Sequence, residues 1–235
     1  MFERPQLQKN NFQPAFGAQI VKEGLTRFVL WAPGARRVDV EVEGLPSVTM
    51  DQADDGRVTA EVACEHGARY RYRVFDDEND EQGSLVPDPA ARAQAGDIDG
   101  PSVVIDPNHY QWENTDWQGR PWHETVLYEL HVGTLGGFKG VRQHLPYLAE
   151  LGVTAIELMP VSEFPGARNW GYDGVLPYAV EASYGSPDDM KALIDEAHSN
   201  GLMVFLDVVY NHFGPDGNYL ANYAGAFFRE DLVTP

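Results

Sequence analysis

Residues 202–214 read "LMVFLDVVYNHFG", and this stretch decides the fold. It starts as an apolar run typical of a strand buried on both faces. It then delivers Asp207, Asn211 and His212, groups that are costly to bury without partners. Either a strand ends in an ordinary polar turn, or it hands polar groups to the rim of a ligand site. The neighbouring segments bear on which. "TVLYELHVGTL" (125–135) and "VTAIELMPV" (153–161) are two further apolar strands. A helix is predicted between them over "FKGVRQHLPYLAELG" (138–152), with Val141, Leu145, Leu148 and Leu151 on one face and Gly152 as its stop. Pro146 falls inside it, marking a bend or a late start. After a long loop, "SPDDMKALIDEAHSNG" (186–201) is a second helix, with Ser186 at the N-cap, Pro187 at the first helical position and Gly201 at the end.

The resulting β-α-β-α-β order predicts a parallel sheet covered by helices. Such units build either an open doubly wound sheet or a barrel. "HVGTLGGFKG" (131–140) lacks the GxGxxG spacing of a dinucleotide loop, which favours the barrel. In a barrel the residues just past each strand line the site. Here they are "HVGTL", "PVSEFPGARNWGYDG" and "NHFGPDGNY", rich in aromatic, amide and carboxylate side chains.

Upstream, the period is different. "RFVLWAP" (27–33), "RVDVEVE" (37–43), "RVTAEVA" (57–63) and "ARYRYRVF" (68–75) alternate apolar and polar residues, and turns separate them. Short strands at this spacing predict an antiparallel, immunoglobulin-like β-sandwich. The acidic stretch "DDENDEQG" (76–83) reads as a solvated hairpin turn, and "VPDPAARAQAGDIDGPS" (86–102) as a linker or a packed irregular edge. The expected organisation is multidomain, β plus α/β. It comprises a sandwich over 1–105, a linker over 106–125, and over 126–235 the first three βα units of an incomplete (β/α)8 barrel.

The chain has 235 residues, 43% hydrophobic and 23% charged, with a formal net charge of −19. That composition is globular, and the acidic surface disfavours nucleic acid and anionic membranes as partners. The one cysteine, Cys64, excludes an intrachain disulfide, and with His66 alone it makes no zinc site. "MFERPQLQKNNFQP" (1–14) has no apolar core of a signal peptide, so a cytoplasmic location is expected.

The strand ends carry the chemistry of a sugar site. A pyranose ring offers an apolar face that stacks on Tyr or Trp and an equator of hydroxyls that needs donors and acceptors. "NWGYDG" (169–174) supplies Trp170, Tyr172 and Asp173; "DVVYNH" (207–212) supplies Asp207, Asn211 and His212. Glu129 and His131 on the first strand are either rim groups or structural ones.

With these motifs in place, the chain resembles the alpha-amylase superfamily of glycoside hydrolases and transferases. "DVVYNH" resembles its signature at the end of barrel strand three, and "GVTAIELMPV" (152–161) its strand-two signature. The leading sandwich with "YRYRV" and "PDPAAR" is similar to the carbohydrate-binding-module-like N-terminal domain of branching enzymes, debranching enzymes and trehalohydrolases. "YELHVGTL", "FPGARNWGYDGVLPYAVEASYG" and "DVVYNHFGPDGNYL" resemble most the trehalohydrolases that act on maltooligosyltrehalose. Branching enzymes more often carry Trp-Val-Pro where this chain has Val208, Val209 and Tyr210.

The resemblance implies an alpha-glucan substrate, water as co-substrate, and neither cofactor nor metal. It makes Tyr172 the platform under the sugar beside the scissile bond, His212 a donor to that sugar, Asp207 the floor of the site and Asn211 a brace. A full barrel takes about 250 residues, whereas 126–235 holds three strands. The family's nucleophile, acid/base and second aspartate follow strands four, five and seven. No catalytic residue is therefore expected within these residues, and the sequence is expected to be the N-terminal part of a longer enzyme. A glucan branching or debranching enzyme and a noncatalytic carbohydrate-binding module are the alternatives.

Overall fold

The computed structural model describes residues 14–77 and 80–228. The N-terminal stretch read for a signal peptide lies outside them up to residue 13, as do Glu78 and Asn79 in the acidic turn.

Nine strands come first: β1 (Gly17–Lys22), β2 (Leu25–Trp31), β3 (Arg37–Val42), β4 (Val48–Thr49), β5 (Asp51–Gln52), β6 (Arg57–Val62), β7 (Arg69–Phe75), β8 (Ser84–Val86) and β9 (Ser102–Val103). They form two antiparallel sheets, one ordered β1-β2-β6-β5 and the other β4-β3-β7-β8, with β9 also on β7. The inward residues of both sheets meet in one core, with Phe28, Leu30, Val38, Val40, Val58, Tyr70 and Tyr72 among its members. All four alternating segments read from sequence are strands here. β1 was not anticipated, and it pairs with β2 across a bulge near Ile20 and Lys22. β7 and β8 pair antiparallel, so the acidic stretch joins a hairpin.

Residues 86–102 are a packed edge rather than a free linker. Asp88 is fully buried, and its carboxylate accepts from Tyr70 Oη (2.6 Å), Tyr72 Oη (3.2 Å) and the Ala90 amide (2.8 Å). Burial pushes its pKa up to about 6, against the pull of those hydrogen bonds.

The second half contains β10 (Leu127–Leu130), α1 (Gly137–Leu151), β11 (Ala155–Leu158), a hairpin of β12 (Ser162–Glu163) and β13 (Leu176–Val180), α2 (Pro187–Ser199), β14 (Met203–Leu206) and α3 (Leu220–Ala224). β10, β11 and β14 are parallel and in sequence order, with Glu129, Glu157 and Phe205 side by side. Both long helices lie on the same face. Phe138, Val141, Leu145 and Leu148 of α1 and Leu193 and Ala197 of α2 share one core with Leu130, Ile156 and Leu158. Sequential parallel strands with every crossover helix on one side follow from right-handed connections. The order does not reverse as it does in a doubly wound sheet.

Four expectations are corrected. The parallel strands are not buried on both faces: Leu127 is exposed on the face that the helices leave bare, and Tyr128 and Leu206, on the helix-facing side of the two edge strands, are exposed because α1 and α2 do not cover those edges. The third strand ends at Leu206 rather than Tyr210, although the Asp207 amide still donates to Leu158 O (3.0 Å). Leu151 is 63% exposed, since α2 and the sheet cover only the side of α1 that carries Leu145 and Leu148. The long loop before α2 holds the β12–β13 hairpin. Pro146 sits inside α1 on its exposed side, where water can replace the missing N–H donor.

The 106–125 segment is tied to α2 at several points, the buried one being Asp195. Asp195 is buried and accepts from the Glu113 amide (2.7 Å), the Asn114 amide (2.9 Å), Asn114 Nδ2 (2.8 Å) and Tyr110 Oη (3.1 Å). Burial alone would raise this carboxyl, but the hydrogen bonds outweigh it and hold its pKa at about 2. Its stabilisation is therefore present above the ordinary aspartate range and lost as pH falls through about 2. Asp195→Ala is expected to cost about 2–3 kcal/mol at neutral pH, because it strands two backbone donors. Urea unfolding at pH 7 and pH 2 checks this: the variant and the parent should differ at pH 7 and converge in acid.

Candidate active-site rim

The loops after β11 and β14 meet at one end of the parallel sheet. Tyr172, in the 164–175 loop of the β12–β13 hairpin, donates from Oη to Asp207 Oδ2 (2.9 Å). That hydrogen bond, with some burial and the negative charges of Asp207, Glu129 and Glu157, raises the Tyr172 phenol above its usual range. His212 Nε2 donates to the Tyr172 carbonyl (2.9 Å), and Asn211 Nδ2 donates to His212 Nδ1 (2.8 Å). A carbonyl only accepts and an amide nitrogen only donates, so in this arrangement Nε2 of His212 is the donor and Nδ1 the acceptor. The structure thus brings Tyr172, Asp207, Asn211 and His212 together. It engages both His212 nitrogens within the protein.

Two glycines permit this junction. Gly171 has φ +96°, and a Cβ there would collide with the Pro160 carbonyl oxygen at 2.0 Å. At Gly214 a Cβ would meet the Asp173 carbonyl oxygen at 2.0 Å, while its amide donates to Gly174 O (3.0 Å). The two loops therefore touch backbone to backbone.

Trp170 is 75% exposed and stands free at the rim. Asp173 is exposed and accepts from Asn169 Nδ2 (2.6 Å). Asn169 was read only as the first letter of its motif, yet it organises the turn, because its Oδ1 also accepts from the Gly171 amide (2.8 Å). His131 accepts from the Thr134 amide at Nδ1 (3.1 Å), so its Nε2–H donates to Asn169 O (2.6 Å). His131 therefore ties the end of β10 to the loop that presents Tyr172. Glu129 and Glu157 stand in register on the sheet face turned away from the helices, the face on which Asp207 continues β14. Glu157 was not anticipated, since one acidic residue inside "AIEL" gives no signal until the register aligns it with Glu129.

Among the described residues no cluster of three or more His, Cys, Asp or Glu has the geometry to hold a metal ion. No helix among them is long and apolar enough to cross a membrane.

The family description "Alpha amylase, catalytic domain" matches residues 79–226, and the chain belongs to that family. Among curated proteins it is 44% identical over 224 residues to the malto-oligosyltrehalose trehalohydrolase of Saccharolobus solfataricus, covering 94% of this chain. It is 46% identical over 208 residues to the malto-oligosyltrehalose trehalohydrolase of Deinococcus radiodurans, covering 87% of this chain. The chain spans 38% and 33% of the length of these two relatives. A crystallised alpha-amylase-like protein of Salmonella typhimurium matches with a TM-score of 0.89 at 47% identity, over 95% of this chain and 38% of that one.

Proposed function

We propose that the chain forms the leading portion of a retaining alpha-glycosidase that cleaves the alpha-1,4 bond next to the terminal trehalose unit of maltooligosyltrehalose. The observation that carries this reading is the junction of Tyr172, Asp207 and His212 at the ends of adjacent parallel strands. The similarity to two proteins bearing the trehalohydrolase name supports the substrate. In this reading the two antiparallel sheets are the immunoglobulin-like sandwich of 1–105, and 106–125 is the connector. Residues 126–235 then supply strands one to three of a (β/α)8 barrel. The one-sided placement of α1 and α2 supports a barrel, whose inner face is then the one carrying Glu129, Glu157 and Phe205.

Within that site Tyr172 is the platform on which the sugar ring stacks, and its phenol is held by Asp207. His212 offers Nε2–H to a sugar hydroxyl, exchanging it from the Tyr172 carbonyl, and Asn211 donates to its Nδ1. Trp170 and Asp173 extend the binding surface. A retaining glycosidase needs two carboxyl groups about 5–5.5 Å apart on either side of the bond. Those are assigned to strands four, five and seven, so this chain supplies substrate-binding groups and no catalytic carboxylate.

The test is trehalose release from maltooligosyltrehalose by the complete protein and by the 235-residue chain. Release by the former and none by the latter is expected, since binding groups without acid and nucleophile forfeit most of the acceleration. Steady release by the pure chain, abolished by Asp207→Ala, would overturn the reading.

A further inference from the structure

The hairpin that carries Tyr172 is rooted in buried carboxyl groups. Glu163, the last residue of β12, is 0% exposed, and Glu181, which follows β13, is 1% exposed. Each holds the other strand. Glu163 Oε2 accepts from the Ala182 amide (2.8 Å), and Glu181 Oε2 accepts from the Phe164 amide (3.2 Å). Glu181 Oε1 accepts from the Ser183 amide (3.0 Å). Asp97, from the packed edge of the N-terminal half, reaches the same place and takes the Gly166 amide with both oxygens (3.0 and 3.1 Å). Beside it, Ala93 bridges to Val180 of β13. No cationic side chain among the described residues forms an ion pair with any of the three carboxyls. Tyr184 is buried beside them, its phenol pushed up to about 12 by burial and the charge of Glu181, and the His131 ring packs edge-on against it.

Glu163 Oε1 has no hydrogen-bond partner. A buried anion with a bare oxygen, facing two further acids, is a costly arrangement that a proton relieves. Burial, then the charge of Glu181, push the Glu163 carboxyl up to about 8 against the pull of the Ala182 amide. Burial likewise raises Glu181.

We propose that Glu163 and Glu181, with Asp97 beside them, form a proton-dependent clasp at the root of the Trp170–Asp173 loop. The clasp is closed while Glu163 carries a proton and opens when the proton is lost. Opening would release the Phe164, Gly166 and Ala182 amides and free the Tyr172 loop from the strand ends. The consequence for a sugar rests on the role given to Tyr172 above; the clasp itself does not.

The sign follows from the raised carboxyl. Between the ordinary glutamate range and about 8, the opened hairpin sheds a proton that the closed one keeps. Opening is therefore favoured as pH rises through that window, by at most about tenfold per pH unit, and levels off above it.

Amide hydrogen exchange of the 235-residue chain from pH 5.5 to 9 reads this directly, with rates corrected for intrinsic exchange. Protection at Phe164, Gly166 and Ala182 should fall severalfold per unit up to about pH 8 and then flatten. It should also stay below that of the β2–β6 amides, which report global unfolding. Glu163→Gln should remove the slope and raise protection at pH 8. Glu181→Gln should move the plateau to lower pH, because it deletes the facing charge. A flat parent profile, a slope that survives Glu163→Gln, or hairpin amides as protected as those of β2–β6 would overturn the clasp. Should Glu163→Gln fail to fold, an unmoved plateau in Glu181→Gln overturns it equally.

Discussion

Tyr223→Ala is expected to lower the stability of the chain by about 3–5 kcal/mol, the range for deleting a fully buried aromatic side chain. Tyr223 lies on the short helix α3, far along the chain from the two antiparallel sheets, yet it is 1% exposed within their core. Its ring is counted with Val38, Tyr72 and Val74 in one apolar cluster, and its carbonyl accepts from the Gly34 amide (2.8 Å). Tyr219, just before α3, donates to Asp99 (2.7 Å), and Trp31 meets Phe227 edge to face at 6.0 Å. The loss is a transfer term plus a cavity that neighbouring β-branched side chains fill poorly. In a chain of this size it should move the thermal midpoint by roughly 10 °C. Tyr223→Phe keeps the ring and should cost far less. Calorimetry on both variants checks this; a loss under about 1 kcal/mol for Tyr223→Ala would mean the sheets close their core without α3. The same contact bears on the proposed boundary at residue 105. A fragment ending there lacks Tyr223 and should unfold more readily than the same sheets within the whole chain.

What the sequence made legible is what local rules govern. α2 could be read because its start is written in adjacent residues. Ser186 Oγ accepts from the Asp189 amide (3.1 Å), and the Asp189 carboxylate accepts from the Ser186 amide (3.0 Å). β2, β3, β6 and β7 could be read because period-two alternation survives wherever one face is buried. The β12–β13 hairpin could not. β12 has two residues, and Pro177 within β13 argues against a strand until the partner is known. α3 was invisible because its five residues carry no period, and its place is set by a core assembled at the other end of the chain.

The rim shows the same division. Tyr172, Asp207 and His212 could be anticipated as neighbours, because strand order fixes which loops are adjacent. Asn169 and His131 could not, since their bonds run to backbone carbonyls and amides that no side-chain pattern announces. Leu151 was misplaced for a related reason. Helical periodicity defines an apolar face, but neighbouring elements decide how much of that face is covered.

If the complete protein is the glycosidase proposed above, His212→Ala is expected to lower its kcat by roughly ten- to a thousand-fold, the loss that follows removal of one well-placed donor at a developing charge. In the proposed reaction the sugar ring would distort towards an oxocarbenium ion, and a hydroxyl bonded to Nε2–H would be held more tightly in that shape than in the relaxed ring. The effect should therefore fall mainly on kcat. Tyr172→Ala removes the stacking face and leaves Asp207 without its phenol donor, so it should damage kcat and KM together. Tyr172→Phe separates the two contributions, because it keeps the ring and deletes only the 2.9 Å bond to Asp207. It should leave KM close to the parent value if stacking carries the binding. Steady-state trehalose release by the three variants, with thermal midpoints measured alongside, decides the case. The geometry makes the contest a sharp one, since His212 already has both ring nitrogens engaged, one on Asn211 and one on the Tyr172 carbonyl. A sugar hydroxyl must win Nε2–H from that carbonyl. If His212→Ala leaves the kinetics unchanged and lowers the thermal midpoint, the carbonyl keeps the proton, and His212 braces two loops without touching substrate.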